Sequence, residues 1–285
     1  MKLASRDMLL KITAFVMIVA VGAAGYALNA MRWLPWQKPV FETAPPANCV
    51  SATGKAILVF SKTNGYRHAS IEAGIKAIKE AGRKRGWEVV ATENGGYFNE
   101  VCLKSYRAVV FLSPTGDFLT DEQQHAFEKY IENGGGYAGI HSASDCEYDW
   151  DWYGTLLGTR FRNHTFLPYP IPKAEIVTEP GSHPAIDGLP ARWSKKDEWY
   201  NFRESVRGKP GFQVLLTVDE SSYPAFWPKA MRGDHPIAWA RPIGKGRMFY
   251  TAIGHNASTY SDPTAMKHIM GGIAWAAAVH NEYAQ

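Results

Sequence analysis

Cysteine is scarce in this chain of 285 residues: Cys49, Cys102 and Cys146 are all there is, an odd number with no CxxC spacing. That excludes a disulfide framework and a Cys/His zinc module. Two readings are left, three small buried apolar residues or, outside the cytoplasm, a Cys49–Cys102 pair. The spacings HxH and HExxH are also missing, so no histidine pair points to a metal by sequence alone. Internal repeats and low-complexity tracts are lacking, and so is any run of like charge. The net charge of +4 sits at the front, with +3 in the first 42 residues and +1 in the rest. A nearly neutral body lacks the electrostatic footprint of a phosphate-backbone binder, which argues against nucleic acid as a partner. A composition of 46% hydrophobic and 20% charged residues is that of a globular protein, not a disordered one.

What is present begins with an apolar leader. No residue from Ile12 to Met31 is charged, and the run from Ile12 to Leu28 follows a basic head of Lys2, Arg6 and Lys11. A spanning helix wants about 20 apolar residues, so residues 1–31 read as a membrane anchor or a long secretory signal. Arg32, Trp33, Trp36 and Lys38 resemble an interfacial belt. Basic charge on the amino side places that end inside and the body outside, membrane-anchored and periplasmic or extracellular. Gly25-Tyr26-Ala27 would pass as a cleavage site, in which case the protein is secreted. Residues 32–54, with Pro39, Pro45 and Pro46, read as a linker. Residues 55–281 remain as one α/β domain.

In that body, Ala56-Ile57-Leu58-Val59-Phe60 is a continuous apolar run, as in a strand buried on both faces. Ser70 to Arg85 has a helical period stopped by Gly86. Trp87 to Thr92 and Ala108 to Leu112 read as strands. Thr120 with Gln123 resembles a capping box opening a helix to about Asn133, and Tyr137 to Ile140 is a fourth strand. This alternation predicts a parallel sheet with helices on both faces. Beyond Asp145 the pattern loosens into a short helix from Trp150 to Leu157, a strand at Ala174 to Thr178, and loops rich in Pro, Trp and Asp. Strands return at Gln213 to Val218, Ile237 to Ala240 and Met248 to Ala252, and a helix from Thr264 to Val279 closes the domain.

Ligands collect outside the carboxyl ends of strands in open parallel sheets, so the loops there matter most. They carry Lys62, Tyr66, Arg67 and His68 after the first strand, Ser113 to Asp117 after the third, and His141 to Asp145 after the fourth. Any one such loop is ordinarily a solvated turn; three on one rim make a candidate site. Among nine histidines, His125, His268 and His280 fall in or at the end of helices and read as packing or surface residues. His68, His141, His164, His183, His235 and His255 lie in loops or at strand ends, where an imidazole can move protons or bind metal. His141, directly after an apolar strand, carries most weight. Asp149-Trp150-Asp151-Trp152 and Asp197-Glu198-Trp199-Tyr200 combine rings that can pack on a sugar with carboxylates that can accept its hydroxyls. Core packing is the competing reading of each Trp. The adjacent carboxylates of Asp197 and Glu198 fit it less well.

These residues resemble the ThuA-like domain of trehalose-utilisation proteins, within the class I glutamine amidotransferase-like superfamily. The matching pieces are Phe60 to Thr63 with Tyr66-Arg67-His68, Gly134 to Ala143, Glu147 to Trp150, Asp197 to Phe202, His235 to Trp239 and Tyr250 to His255. They span nearly the whole body. The resemblance implies a flavodoxin-like, doubly wound and mostly parallel sheet, and a link to sugars including keto-disaccharides. Amidotransferases of the superfamily place a nucleophilic cysteine on the turn after this strand, in a Gly-x-Cys-x-Gly setting. Here Gly139-Ile140-His141-Ser142-Ala143 puts His141 there, so glutamine hydrolysis through a thiolate is not expected. Nor is the segment Gly-x-Ser-x-Gly, which leaves Ser142 a poor serine-hydrolase nucleophile. Cys146 and Asn256 stand where the family usually has threonine.

The expectation is therefore a hydrolase- or isomerase-type enzyme acting on a carbohydrate, a keto-disaccharide or related glycoside, by general acid/base chemistry. His141 would be acid or base, with His68 and His255 exchanging protons and Asp145 and Glu198 orienting them. Trp150 and Trp199 would form the sugar platform, and Lys62, Tyr66, Arg67, Asp197, His164 and His235 would line the substrate side. No cofactor is firmly implied, though the loop histidines with a carboxylate leave room for one divalent metal ion. The alternative is a non-catalytic sugar-binding module tethered to the membrane. The oligomeric state is left open.

Overall fold

The computed structural model describes residues 2–30, 37–51, 54, 56–166, 168–224 and 231–278. The expected belt residues Arg32, Trp33 and Trp36, the helix end at Val279, His280 and the domain limits at 55 and 281 lie outside them. The elements in chain order are α1 (Lys2–Ala30), β1 (Ala56–Phe60), α2 (Ile71–Lys84), β2 (Glu88–Thr92), α3 (Glu100–Leu103), β3 (Tyr106–Leu112), α4 (Asp121–Glu132), β4 (Gly136–Ile140), α5 (Asp151–Leu157), β5 (Phe161–His164), β6 (Lys173–Thr178), β7 (Arg192–Lys196), β8 (Tyr200–Phe202), β9 (Gln213–Asp219), β10 (Pro236–Ile243), β11 (Gly246–Thr251) and α6 (Pro263–Ala276).

Nine strands form one sheet in the order β2-β1-β3-β4-β11-β10-β9-β6-β7. The first five run parallel, and β2-β1-β3-β4-β11 is the flavodoxin-like order. From β11 to β7 each neighbour is antiparallel, so the second half is an antiparallel extension of the parallel block, with β6 set between β7 and β9. Register fixes the rim: Phe60 pairs with Phe111, and Ile140 pairs with both Leu112 and Thr251. The loops after β1, β3, β4 and β11 therefore leave the sheet at one edge.

Strands β1 and β4 are buried at every position because helices cover both faces. Alternation divides the packing: the Phe111 ring stacks on Phe127 of α4, while its neighbour Leu112 lies against Gly74 of α2. A Cβ on Gly74 would stand 3.0 Å from the Leu112 side chain and from the Tyr260 ring, so glycine here lets α2 pack closely without either side chain giving way. Each fully buried Phe contributes about 2–3 kcal/mol of apolar burial. Helix α4 opens on the expected capping box, Thr120 accepting from Gln123 N while the Gln123 side chain accepts from Thr120 N.

The loops rich in Pro, Trp and Asp hold elements that the periodicity does not show. β7, Arg-Trp-Ser-Lys-Lys, is an edge strand paired only with β6, and its charges suit an edge. β5 and β8 are short and form a separate two-stranded sheet.

Cys49 and Cys102 are joined in a disulfide, and Cys146 is buried and free. The segment before Cys49, expected as a linker, lies along the body. Val40 and Asn64 exchange two hydrogen bonds of 3.1 Å each, Glu42 pairs with Lys62, and Gln123 Nε2 donates to the Glu42 carbonyl at 2.7 Å. Within Arg6–Asn29 of helix α1 an 18-residue window has a mean hydropathy of 2.1, and none of it is buried. The helix is long and apolar enough to cross a membrane, and among the described residues nothing covers it.

Candidate functional site

The rim loops bring together three imidazoles and a carboxylate. His68 arrives on the loop between β1 and α2. Ser70, beside it at the start of α2, spends its hydroxyl on the Gly254 carbonyl at 2.8 Å, tying this loop to the one after β11. His141 directly follows β4 with φ 54°, a left-handed conformation that is costly for a non-glycine residue. It thus sits on a tight, strained turn at the carboxyl end of β4. Its Nδ1 donates to the Ala252 carbonyl at 2.8 Å, which fixes the ring and turns Nε2 toward Glu198. His255 follows β11, and Glu198 lies between β7 and β8.

Asp197 holds these last two in place. Fully buried, it accepts from the backbone N–H of Glu198 at 2.9 Å, of His255 at 3.0 Å and of Gly254 at 3.2 Å, and from Thr259 Oγ1 at 3.3 Å. Gly254, φ 156°, has no room for a side chain, since a Cβ would stand 2.9 Å from Ile140 and 3.1 Å from His141.

Glu198 Oε2 lies 3.2 Å from His255 Nδ1 and 3.5 Å from His141 Nε2, and Oε1 lies 3.3 Å from His164 Nδ1. The His68 ring stands edge-on to His141 at 4.7 Å and to His255 at 5.4 Å between centroids. One ligand atom from each of His68, His141, Glu198 and His255 lies within 4.8 Å of all the others. The Tyr200 ring packs on His141 at 4.4 Å, and Tyr66 stands edge-on to His68. The cluster opens to solvent on the side of His255 and His164, whose side chains are 19% and 32% exposed against none for His141.

Burial alone would raise the Glu198 carboxyl, but the adjacent His141 and His255 rings outweigh it and hold the group well below the ordinary carboxylate range. Burial would likewise lower His255, yet the adjacent Glu198 carboxylate raises it. Burial, then repulsion from His141 and His255, keeps His68 neutral far below the usual imidazole range. Asp145, after β4, is pushed up to about 6 by burial despite accepting the Tyr148 hydroxyl at 2.6 Å.

Other residues singled out by sequence lie elsewhere. Trp150 is 5% exposed, donates to Glu128 at 2.7 Å and stacks on Tyr153 and Trp152 within the aromatic core. Trp199 is 1% exposed and donates to the Pro172 carbonyl at 2.9 Å. The structure brings neither indole to the cluster. Lys62 pairs with Glu42, and Arg67 bridges Glu72 and Glu93 on the surface. His235 sits one layer back: Nε2 contacts the Tyr200 carbonyl at 2.8 Å and Nδ1 lies 3.1 Å from Glu220. Cys146 is buried, and burial pushes its thiol far up, which suits packing and not reaction. Asn256 donates to the Lys196 carbonyl and so helps to hold the 197–198 segment. Sequence reasoning missed Thr259 as a support and Phe166 as an exposed ring beside His164, and it named Tyr200 only among rings that can pack on a sugar, whereas the structure packs it on His141. Tyr200 was within reach, being two residues from Glu198 in an extended segment and so on the same face. A cleft lined by Lys104, Tyr130, Asn133 and Ala277 opens at the amino ends of β3 and β4, the opposite rim, and holds none of these groups.

A parallel block in flavodoxin-like order, with a polar cluster at its carboxyl rim, defines an α/β protein with a candidate site at the strand ends. Residues 56–276 match the ThuA family, described as trehalose utilisation, and the chain belongs to that family. A ThuA-like protein from Bacteroides uniformis has the same fold, with TM-score 0.64, 23% identity and coverage of 81% of this chain and 94% of that one. One from Parabacteroides merdae gives TM-score 0.59 and 21% identity, covering 78% and 89%. The carbohydrate deacetylase Agd3 shares the fold at TM-score 0.51 and 15% identity, over 79% of this chain and 32% of that one. Among curated proteins none matches.

Proposed function

We propose that this ThuA-family protein is an enzyme acting on a carbohydrate outside the cytoplasm, with His68, His141, His255 and Glu198 as its reactive centre. The convergence of four such groups at the carboxyl rim of a parallel sheet carries the reading. The family's description, trehalose utilisation, supports a disaccharide as the substrate, and its keto form is the variant to test beside it. Acid/base chemistry of hydrolase or isomerase type fits the groups present, with Asp145 at the edge able to take a proton near neutral pH. Tyr66, His164 and Asp197 stand on the substrate side or directly behind it. The turn that would carry an amidotransferase cysteine carries His141, so a thiolate mechanism is not part of this reading.

The Cys49–Cys102 disulfide supports an oxidising compartment, and the basic head with the apolar α1 supports export, by a retained anchor or a cleaved signal. The test is to incubate the full chain in detergent with disaccharides and their keto forms, follow products by mass spectrometry, and measure binding by calorimetry. Product from at least one sugar is expected. Tight binding without product over long incubation would make the protein a tethered sugar-binding module, and neither binding nor product would end the carbohydrate reading.

A further inference from the structure

We infer that His68, His141, His255 and Glu198 are the ligands of one divalent first-row transition-metal ion. The assignment rests on the reading that this cluster is the working centre, and it names what holds the centre together.

The argument starts from hydrogen bonding. His141 Nδ1 faces a carbonyl, which can only accept, so Nδ1 carries a proton and Nε2 is the atom whose lone pair can take a metal ion. That lone pair is buried, has no hydrogen-bond partner, and points at a carboxylate oxygen 3.5 Å away. His255 Nδ1 is likewise without a hydrogen-bond partner and stands 3.2 Å from the same oxygen. Two buried ring nitrogens thus stand against one carboxylate oxygen, an arrangement that a cation between them satisfies. A proton satisfies one such contact, whereas three imidazoles and a carboxylate converge here.

Distances agree. With metal–nitrogen bonds of about 2.1 Å, neighbouring donors of a tetrahedron stand about 3.4 Å apart and opposite donors of an octahedron about 4.2 Å. The two Glu198 contacts are at 3.2 and 3.5 Å, and the widest spread of the four donors is 4.8 Å, a gap that small side-chain rotations close. The supports are those of a metal site: the second ring nitrogen of His141 is held by a backbone carbonyl, and Asp197 locks the segments carrying Glu198 and His255. Three nitrogens and one oxygen select zinc, iron(II), manganese(II) or cobalt(II) over magnesium or calcium, which take oxygen. An ion accepting a fifth ligand would have it on the side of His255, where the cluster meets solvent.

The test uses the full chain purified in detergent without a polyhistidine tag, stripped with chelator and exposed separately to Mn2+, Fe2+, Co2+ and Zn2+. After gel filtration, elemental analysis should find at least about half an equivalent of one ion, with visible cobalt bands showing nitrogen ligation. Glu198→Gln and His255→Ala, with circular dichroism unchanged, should weaken binding by about tenfold or more, while His125→Ala on the outer face of α4 should bind as wild type. Less than half an equivalent of every ion overturns the assignment, and so does binding that both variants retain. The wild-type result is decisive even if a variant fails to fold. Sugar turnover that survives complete stripping would end the metal assignment and leave the carbohydrate reading standing; stoichiometric metal with no sugar bound or turned over would do the reverse.

Discussion

Asp197 Oδ1 lies 3.0 Å from the backbone nitrogen of His255, joining the turn after β11 to the segment that presents Glu198. The carboxylate touches no reacting group, so it is a positioning residue. Asp197→Ala would leave the backbone donors of Glu198, His255 and Gly254 buried and unpaired. Thermal melting should show a loss of about 2–4 kcal/mol. Sugar turnover should fall by more than about tenfold through kcat, with KM little changed, because placement and not binding is lost.

Asp145 gives a stability–activity pair. Its folded pKa is raised to about 6, so the folded state binds the proton more tightly than the unfolded chain does. The stability it contributes is full below the ordinary Asp range near pH 4 and is lost as pH rises through about 6. Asp145→Asn removes the buried charge. Unfolding at pH 7.5 should therefore show the variant more stable than wild type by up to about 3 kcal/mol, with the difference vanishing near pH 4. If Asp145 takes a proton in the reaction, wild-type activity rises through about pH 6, and the variant should lack that limb.

Glu220 behaves oppositely. Its hydrogen bond with His235, opposed by burial and helped by the backbone N–H groups of Gly233 and Met231, brings its carboxyl down to about 2. Its contribution is present above the ordinary Glu range near 4.5 and is lost as pH falls from there toward 2. Wild type should lose more stability than Glu220→Gln between pH 5 and 3 in denaturant titrations. At pH 7 the variant should be weaker by about 1–3 kcal/mol, because His235 is fully buried.

The Cys49–Cys102 bridge closes a span of 53 residues that includes β1, α2 and β2. Loop-closure entropy for that length is worth about 4 kcal/mol. Reduction, or Cys49→Ser, should lower the melting midpoint and release the strap that carries Glu42 from Lys62, and mass analysis without reductant should find the bridge in protein from the native compartment.

Much of the architecture was legible because buried parallel strands are short continuous apolar runs, as from Ala56 to Phe60 and from Ala108 to Leu112. The antiparallel half was less so. β7 is charged at an edge, and β5 and β8 are four and three residues long, too short for alternation to register. His141 could be singled out from its place after a strand, and Glu198 from its adjacency to Asp197. Their meeting could not, since residues 57 positions apart are joined only by the sheet order. Burial explains the tryptophans: Trp150 and Trp199 carry the ring chemistry of a sugar platform, but whether an indole face is open is decided by tertiary packing, as with Trp150 under Phe127 and Tyr153. Lys62 and Arg67 read as substrate-side residues in sequence, and the structure pairs them instead with carboxylates of the strap, α2 and the segment after β2.

The account turns on the histidine–glutamate cluster being where the chemistry happens. The most direct measurement is the rate of product formation from a disaccharide or keto-disaccharide substrate by wild type and by His141→Ala of matched circular dichroism. A fall of about a hundredfold or more is predicted. Turnover surviving intact in His141→Ala would contradict the account.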